Sequence, residues 1–209
     1  RRTREQLGAE SDRNLALELV RATEAAAINC SRYMGFGDKN QVDGAAVDAM
    51  RPVLGTVRMN GVVVIGEGEK DEAPMLYNGE RVGDGSGPEW DIAVDPVDGT
   101  TLTAKSLPDA VSIIGVSPRG TMFSPGPAVY MQKLVVPGDA ASDVDLDAPI
   151  ATNLAKIAAT TDRAVSDLTV CVLDRPRHTE LVTAIRAAGA RIRFLLDGDV
   201  AGAIMAVTP

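Results

Sequence analysis

Two stretches of this chain set carboxylates at spacings that suit chemistry. The first is Asp95-Pro96-Val97-Asp98-Gly99-Thr100-Thr101. It follows an apolar run, Ile92 to Val94, that reads as a short buried strand entering a tight turn. Pro96 fixes φ just after the strand and Gly99 accepts a positive φ, so the carboxylates of Asp95 and Asp98 can fold toward one point. Thr100 and Thr101 place hydroxyls and backbone N–H groups where a following helix would start, a natural seat for an anion. Two acids, a glycine and a threonine in this order suit a divalent cation with a phosphate lying on it. The same order also suits an Asx-rich turn without chemistry, and spacing alone leaves both readings open.

The second stretch is Gly66-Glu67-Gly68-Glu69-Lys70-Asp71-Glu72, directly after the apolar run Val62 to Ile65. Alone, such a loop is more often a solvated face than a cation site. A second strand ending in acids shifts that balance, because ligands of α/β sheets collect outside the carboxyl ends of strands. Two further polar groups follow strand-like runs: Asp174-Arg175-Pro176-Arg177-His178 and Asp197-Gly198-Asp199. The two arginines suit bidentate contact with a second phosphate, or form a solvated pair on a loop. Asp197 to Asp199 is either a turn that caps a helix or an acceptor for sugar hydroxyls. His178, the only histidine, has no serine or cysteine nucleophile motif beside it and reads as structural.

The elements that must position these groups follow from periodicity. Leu15, Leu19, Ala22, Ala26, Cys30 and Tyr33 form one apolar stripe of a helix from about Asn14 to Tyr33, ended by Gly35 and Gly37. A polar loop, 37–44, then feeds a helix from Ala45 to Val57, with Asp43 as its N-cap or as a ligand and Pro52 kinking or dividing it near Met50. Val62 to Ile65, Val111 to Val116 and Val129 to Val136 read as strands. The polar connection Gly138 to Pro149 divides an N-terminal α+β part, 1–145, from the start of a C-terminal α/β part, 146–209. There the order is helix Ile150–Ala159, strand Thr169–Leu173, helix His178–Ala188, strand Ile192–Leu196 and helix Val200–Val207.

Composition narrows the class of protein. Hydrophobic residues make up 45% of 209, enough for a substantial core, while a net charge of −8 without any Lys/Arg cluster argues against a nucleic-acid surface. An acidic chain that handles phosphate needs metal ions to do so. Cys30 and Cys171 lie far apart in apolar segments and read as core residues of a reducing compartment, not as a disulfide. No apolar run has the length of a membrane span and no signal-peptide core follows the basic N-terminus, so the expectation is a cytoplasmic protein. The absence of an initial methionine and the apolar Ala203 to Val207 just before Pro209 predict a natural chain longer than this one.

At this point the residues carry a resemblance. Asp95-Pro96-Val97-Asp98-Gly99-Thr100-Thr101 is similar to the signature of the lithium-sensitive, metal-dependent sugar and inositol phosphatases. With Gly37-Asp38-Lys39-Asn40, Asp43-Gly44-Ala45-Ala46-Val47, Ile65 to Tyr77 and Arg175-Pro176-Arg177-His178, the pattern resembles class II fructose-1,6-bisphosphatases from about Asn14 onward. The resemblance implies a layered αβαβα sandwich whose C-terminal part lies beyond this chain. It also implies hydrolysis of the 1-phosphate of fructose 1,6-bisphosphate, as in gluconeogenesis, with more than one Mg²⁺ or Mn²⁺ per site. By the same resemblance Asp43 and Glu67 hold one cation, and Asp95 and Asp98 another. Asp98, Gly99 and Thr100 meet the departing phosphate; Tyr130, Arg175, Pro176, Arg177, Asp197, Gly198 and Asp199 bind the rest of the sugar bisphosphate. Lys39 and Asp71 match further polar positions of the active site. Many class II members have Glu where this chain has Asp98, and the family continues past the position of Pro209 with a glycine-rich segment that supplies another acidic ligand.

Within that frame Thr100 is expected to orient the attacking water and Asp71 to accept its proton. Alternatives of the same class are inositol monophosphate, a nucleotide 3′-phosphate or sedoheptulose 1,7-bisphosphate as substrate; the arginine pair argues against the first. A different class is a non-catalytic protein that binds metal and sugar phosphate. A Leu-bearing stripe on the first helix is compatible with a homo-oligomer, a dimer or tetramer.

Overall fold

The computed structural model describes residues 14–67, 76–126, 128 and 130–208. By its contacts the chain forms two compact units: one of 1–97, 103–106 and 111–124, the other of 98–102, 107–110 and 125–209.

The first unit is a four-stranded sheet covered by two helices. Helix α1, Leu15–Cys30, is capped by Asn14, whose Oδ1 accepts the Ala16 N–H at 3.0 Å. It buries Leu19, Ala22, Ala26 and Cys30 as its periodicity predicts, and a 3-10 turn, Ser31–Tyr33, follows. Helix α2, Lys39–Leu54, starts earlier than predicted, because Asp38 and not Asp43 is the cap. The Asp38 carboxylate accepts the N–H groups of Asn40 and Gln41 at 3.0 and 3.1 Å. Pro52 neither divides nor ends α2 early: it falls in the last turn, where few helical bonds remain to be lost.

Strands β1 (Asn60–Ile65), β2 (Arg81–Val82), β3 (Glu89–Asp98) and β4 (Val111–Pro118) pair in the order β2-β1-β3-β4. β1 is antiparallel to β2 and parallel to β3. The expected short strand is a long one: β3 carries Asp95, Pro96 and Asp98 inside it, so the acids flank no turn. Pro96 is tolerated because the pairing with β1 ends at Ile65 and Ala93, and no β1 residue stands opposite the missing N–H. The chain turns only at Gly99, with φ +103°. Met50, Leu54, Met59, Val63, Leu76 and Ile92 are fully enclosed at the centre of the core.

The second unit holds helix α3 (Thr100–Ala104) in part, α4 (Ile150–Thr160), β5 (Thr169–Leu173), α5 (Thr179–Ala187), β6 (Arg191–Leu195) and α6 (Val200–Val207). β5 and β6 are parallel, Thr169 opposite Arg191 through Leu173 opposite Leu195, with α5 as the crossover. Leu154, Ala158, Leu168, Val172, Ile185 and Ala190 form its core. The α/β class is therefore as expected. The strand expected at 129–136 is not formed among the described residues 130–136, and Tyr130, Met131, Leu134 and Val135 are exposed. The connection read as a domain boundary at 145 is packed onto α4: the amide of buried Asn153 donates to the Asp145 carbonyl at 2.7 Å and accepts the Asp145 N–H at 3.1 Å. By contacts the change-over falls between Ser124 and Pro125.

Candidate active site

In the first unit the chemistry gathers on Glu67. β1 reaches it through an irregularity in its pairing with β3, between Val63 and Ile65, which re-aims the residues beyond. The Glu67 N–H donates to the Leu76 carbonyl at 2.9 Å, and the Gly66 N–H to Asn78 Oδ1 at 2.8 Å. A Cβ on Gly66 would stand 2.2 Å from the Leu76 carbonyl oxygen, so only glycine allows this approach. The returning segment is anchored by a two-bond ion pair from Arg51 to Glu80, at 2.9 and 3.1 Å.

Glu67 thus lies beside Asp43 of α2 and Asp95 of β3. Burial first, and then the negative charge of Asp43 and Asp95, push its carboxyl up to about 9. Burial also raises Asp43, against the opposing effect of its hydrogen bond with Glu67. Glu67 Oε2 is buried and meets no hydrogen-bond partner. Asp95 is aimed by its own backbone, Oδ1 accepting the Val97 N–H at 3.0 Å. Among the described residues no three His, Cys, Asp or Glu are grouped so that they could hold a metal ion as they stand. The fit to a cation rests on donor chemistry: a set of hard oxygens, crowded against its own repulsion, with one buried oxygen lacking a donor. Lys39 is exposed at the first position of α2. Asp71 lies outside the described residues.

The second unit holds the other predicted residues, and several are used differently from the expectation. The Thr101 N–H, read as part of an anion seat, donates to Asp197 Oδ2 at 2.9 Å, so a carboxylate of the protein occupies that place. Asp98 Oδ2 accepts the Val200 N–H at 3.1 Å at the start of α6. Gly198, at φ +65°, lets the chain pass the Asp98 carboxylate so closely that a Cβ would stand 3.0 Å from Oδ2. Burial raises the Asp98 carboxyl; the Val200 N–H and Lys133 oppose this, while Asp199 and Asp197 add to it. Asp199 does not cap α6 with its side chain but pairs with Lys133. Lys133 was missed by the sequence reading; a lone cation within the apolar run Tyr130 to Val136 is the signal that could have found it.

The two arginines separate. Arg175 donates to the carbonyls of Asp174 and Leu196, both at 2.9 Å, and its Nη2 lies 3.6 Å from Asp197 Oδ1. Arg177 is exposed and lies over the ring of Tyr130, 4.8 Å from its centroid. His178 is structural: its Nδ1 is 2.7 Å from the Leu173 carbonyl in the 3-10 turn Pro176–His178.

An α/β chain whose strand ends bring half-buried carboxylates together offers hard oxygen donors of the kind that suit divalent cations. Residues 13–209 match the family described as bacterial fructose-1,6-bisphosphatase, glpX-encoded. The chain belongs to that family. It is 46% identical over 197 residues to the class 2 fructose-1,6-bisphosphatase 1 of Escherichia coli K12, covering 94% of this chain and 58% of the relative. Class 2 fructose-1,6-bisphosphatases of Escherichia coli O6:H1 and Shigella flexneri match to the same extent. The chain thus spans somewhat more than half the length of these relatives. Among the described residues no helix is long and apolar enough to cross a membrane.

Proposed function

We propose that this chain is the metal- and substrate-binding part of a phosphatase that removes the 1-phosphate of fructose 1,6-bisphosphate, giving fructose 6-phosphate in gluconeogenesis in the cytoplasm. The observation that carries this reading is the buried, partnerless Glu67 Oε2 beside Asp43 and Asp95, in a chain of this family. Asp43 and Glu67 are the ligands for one Mg²⁺ or Mn²⁺, and Asp95 for another together with Asp98, three residues further along β3. When bound, the cations neutralise phosphoryl charge and supply a water of lowered pKa.

The remaining work falls to the chain's own groups. Thr100, at the start of α3, orients the attacking water through its hydroxyl, and Asp71 takes the proton that water loses. Gly99 and Thr100 bound the phosphate, and the Asp197 contact with the Thr101 N–H holds that turn in place. Arg177 with Tyr130 holds the distal phosphate, while Arg175 fixes the loop of Asp197, Gly198 and Asp199 through Leu196. Lys39 contributes a mobile positive charge to the substrate. The protein works as a homo-oligomer.

Phosphate release from fructose 1,6-bisphosphate, with and without Mn²⁺ or Mg²⁺, tests the reading, with inositol 1-phosphate as the control. Metal-dependent release from the sugar bisphosphate alone is expected. Release from inositol phosphate instead would discard the substrate, and release from neither would favour a protein that binds metal and sugar phosphate without catalysis.

A further inference from the structure

Helix α2 carries one proposed cation ligand, Asp43, and also the anchor of the segment that holds the other, Glu67. Arg51 follows Asp43 on the same helix, about two turns and roughly 12 Å further along its axis. Its Nε and Nη2 donate to Glu80 Oε1 and Oε2 at 2.9 and 3.1 Å. Glu80 also closes its own segment: Oε2 accepts the Tyr77 N–H at 3.2 Å, and its N–H donates to the Tyr77 carbonyl at 3.0 Å. With Glu80 only 14% exposed and the fork two-bonded, the pair has a fixed geometry that a solvated surface pair lacks.

Segment 76–80 is in turn bonded along β1 and the residues just beyond it. The Gly79 N–H donates to the Val63 carbonyl at 2.7 Å, and the Val63 N–H to the Glu80 carbonyl at 2.9 Å. Further on, the Glu67 N–H meets the Leu76 carbonyl and the Gly66 N–H meets Asn78 Oδ1. The ladder with β3 ends at Ile65, so Glu67 takes its backbone position from this segment. There is no slack in the contact, because even a Cβ on Gly66 would stand 2.2 Å from the Leu76 carbonyl oxygen. We propose that Arg51 and Glu80 form a positioning clamp that sets the separation of the Asp43 and Glu67 carboxylates; this rests on the cation reading of those two acids. Neither residue of the clamp ligates the cation. They act through the rigid helix on one side and segment 76–80 on the other.

Mn²⁺ titration of the purified protein by electron paramagnetic resonance, beside amide hydrogen exchange of the metal-free protein, tests this. Arg51→Ala and Glu80→Gln should each weaken Mn²⁺ binding about tenfold, at the lower end of what outer-shell changes cost, and speed exchange of the Gly66 and Glu67 amides. The double variant should lose about as much as either single one, since one link is broken in each case. Arg51→Lys, which keeps the charge but not the fork, should lose only about threefold. Val53→Ala trims a side chain of the same helix that packs on the core; it should lower Tm yet leave Mn²⁺ affinity within about twofold, which separates positioning from a general loss of stability. Mn²⁺ binding by the parent with unchanged affinity in Arg51→Ala and Glu80→Gln, an equal loss in Val53→Ala, or unaltered exchange of both amides would overturn the clamp and leave the cation reading standing. A parent that binds no Mn²⁺ would overturn the cation reading and the role drawn from it together.

Discussion

The Thr101 N–H and Asp197 Oδ2, ninety-six positions apart in sequence, are joined by a hydrogen bond of 2.9 Å. An amide in the first turn of α3 is held by an acid from the loop after β6. Asp197→Ala is therefore expected to lower kcat about 10–100-fold, the loss of one hydrogen bond to a charged group, with a smaller change in KM. A raised KM with unchanged kcat would make Asp197 a substrate ligand only.

If Arg177 holds the second phosphate as proposed, Arg177→Ala should raise KM for the bisphosphate by about tenfold or more and leave a monophosphate unaffected. Arg175→Ala should act on the fold instead. Its bonds to the Asp174 and Leu196 carbonyls are lost, and Tm should fall by a few degrees, on the order of 2–4 °C. Steady-state kinetics on both substrates beside thermal melts separates the two. Equal kinetic effects from both variants would sink the division.

Glu67 sets a pH dependence in the metal-free protein. Its carboxyl releases its proton at about 9 when folded, against an ordinary 4.5. Between these values the folded chain binds more protons than the unfolded one, so stability falls as pH rises. The contribution is fully present below about 4.5 and is lost as pH passes about 9. Melting in a chelator from pH 5 to pH 9 should show a downward drift in Tm that Glu67→Gln flattens. An unchanged slope in that variant would place the titration elsewhere.

Thr100→Ala should retain metal and substrate affinity and lose turnover about 100- to 1,000-fold, as removal of a group acting chiefly in the transition state does. Affinity is read by titration calorimetry, turnover by phosphate release. Full turnover in the variant would remove Thr100 from the chemistry.

Much of this was legible in the sequence where a residue's partners are local. The stripe of α1, the limits of β5 and α6, and the two acid-bearing strand ends follow from period and punctuation alone. β3 ran past its expected end because the tolerance of Pro96 depends on where β1 stops, a property of the neighbouring strand. The run 130–136 is apolar enough to read as a strand but pairs with none among the described residues. Asp43 lost the cap to Asp38, since two acids five residues apart compete for one helix start and only the fold decides. The roles of Arg175 and Asp197 were hidden for the same reason: their bonds to Leu196 and Thr101 join segments that no spacing rule relates.

The central claim is that Asp43 and Glu67 hold a divalent cation, and Mn²⁺ binding followed by electron paramagnetic resonance tests it most directly. The parent protein should bind Mn²⁺ stoichiometrically. Glu67→Gln should weaken binding by more than the roughly 10–100-fold that outer-shell changes alone cost. Unaltered Mn²⁺ affinity in Glu67→Gln would contradict the account.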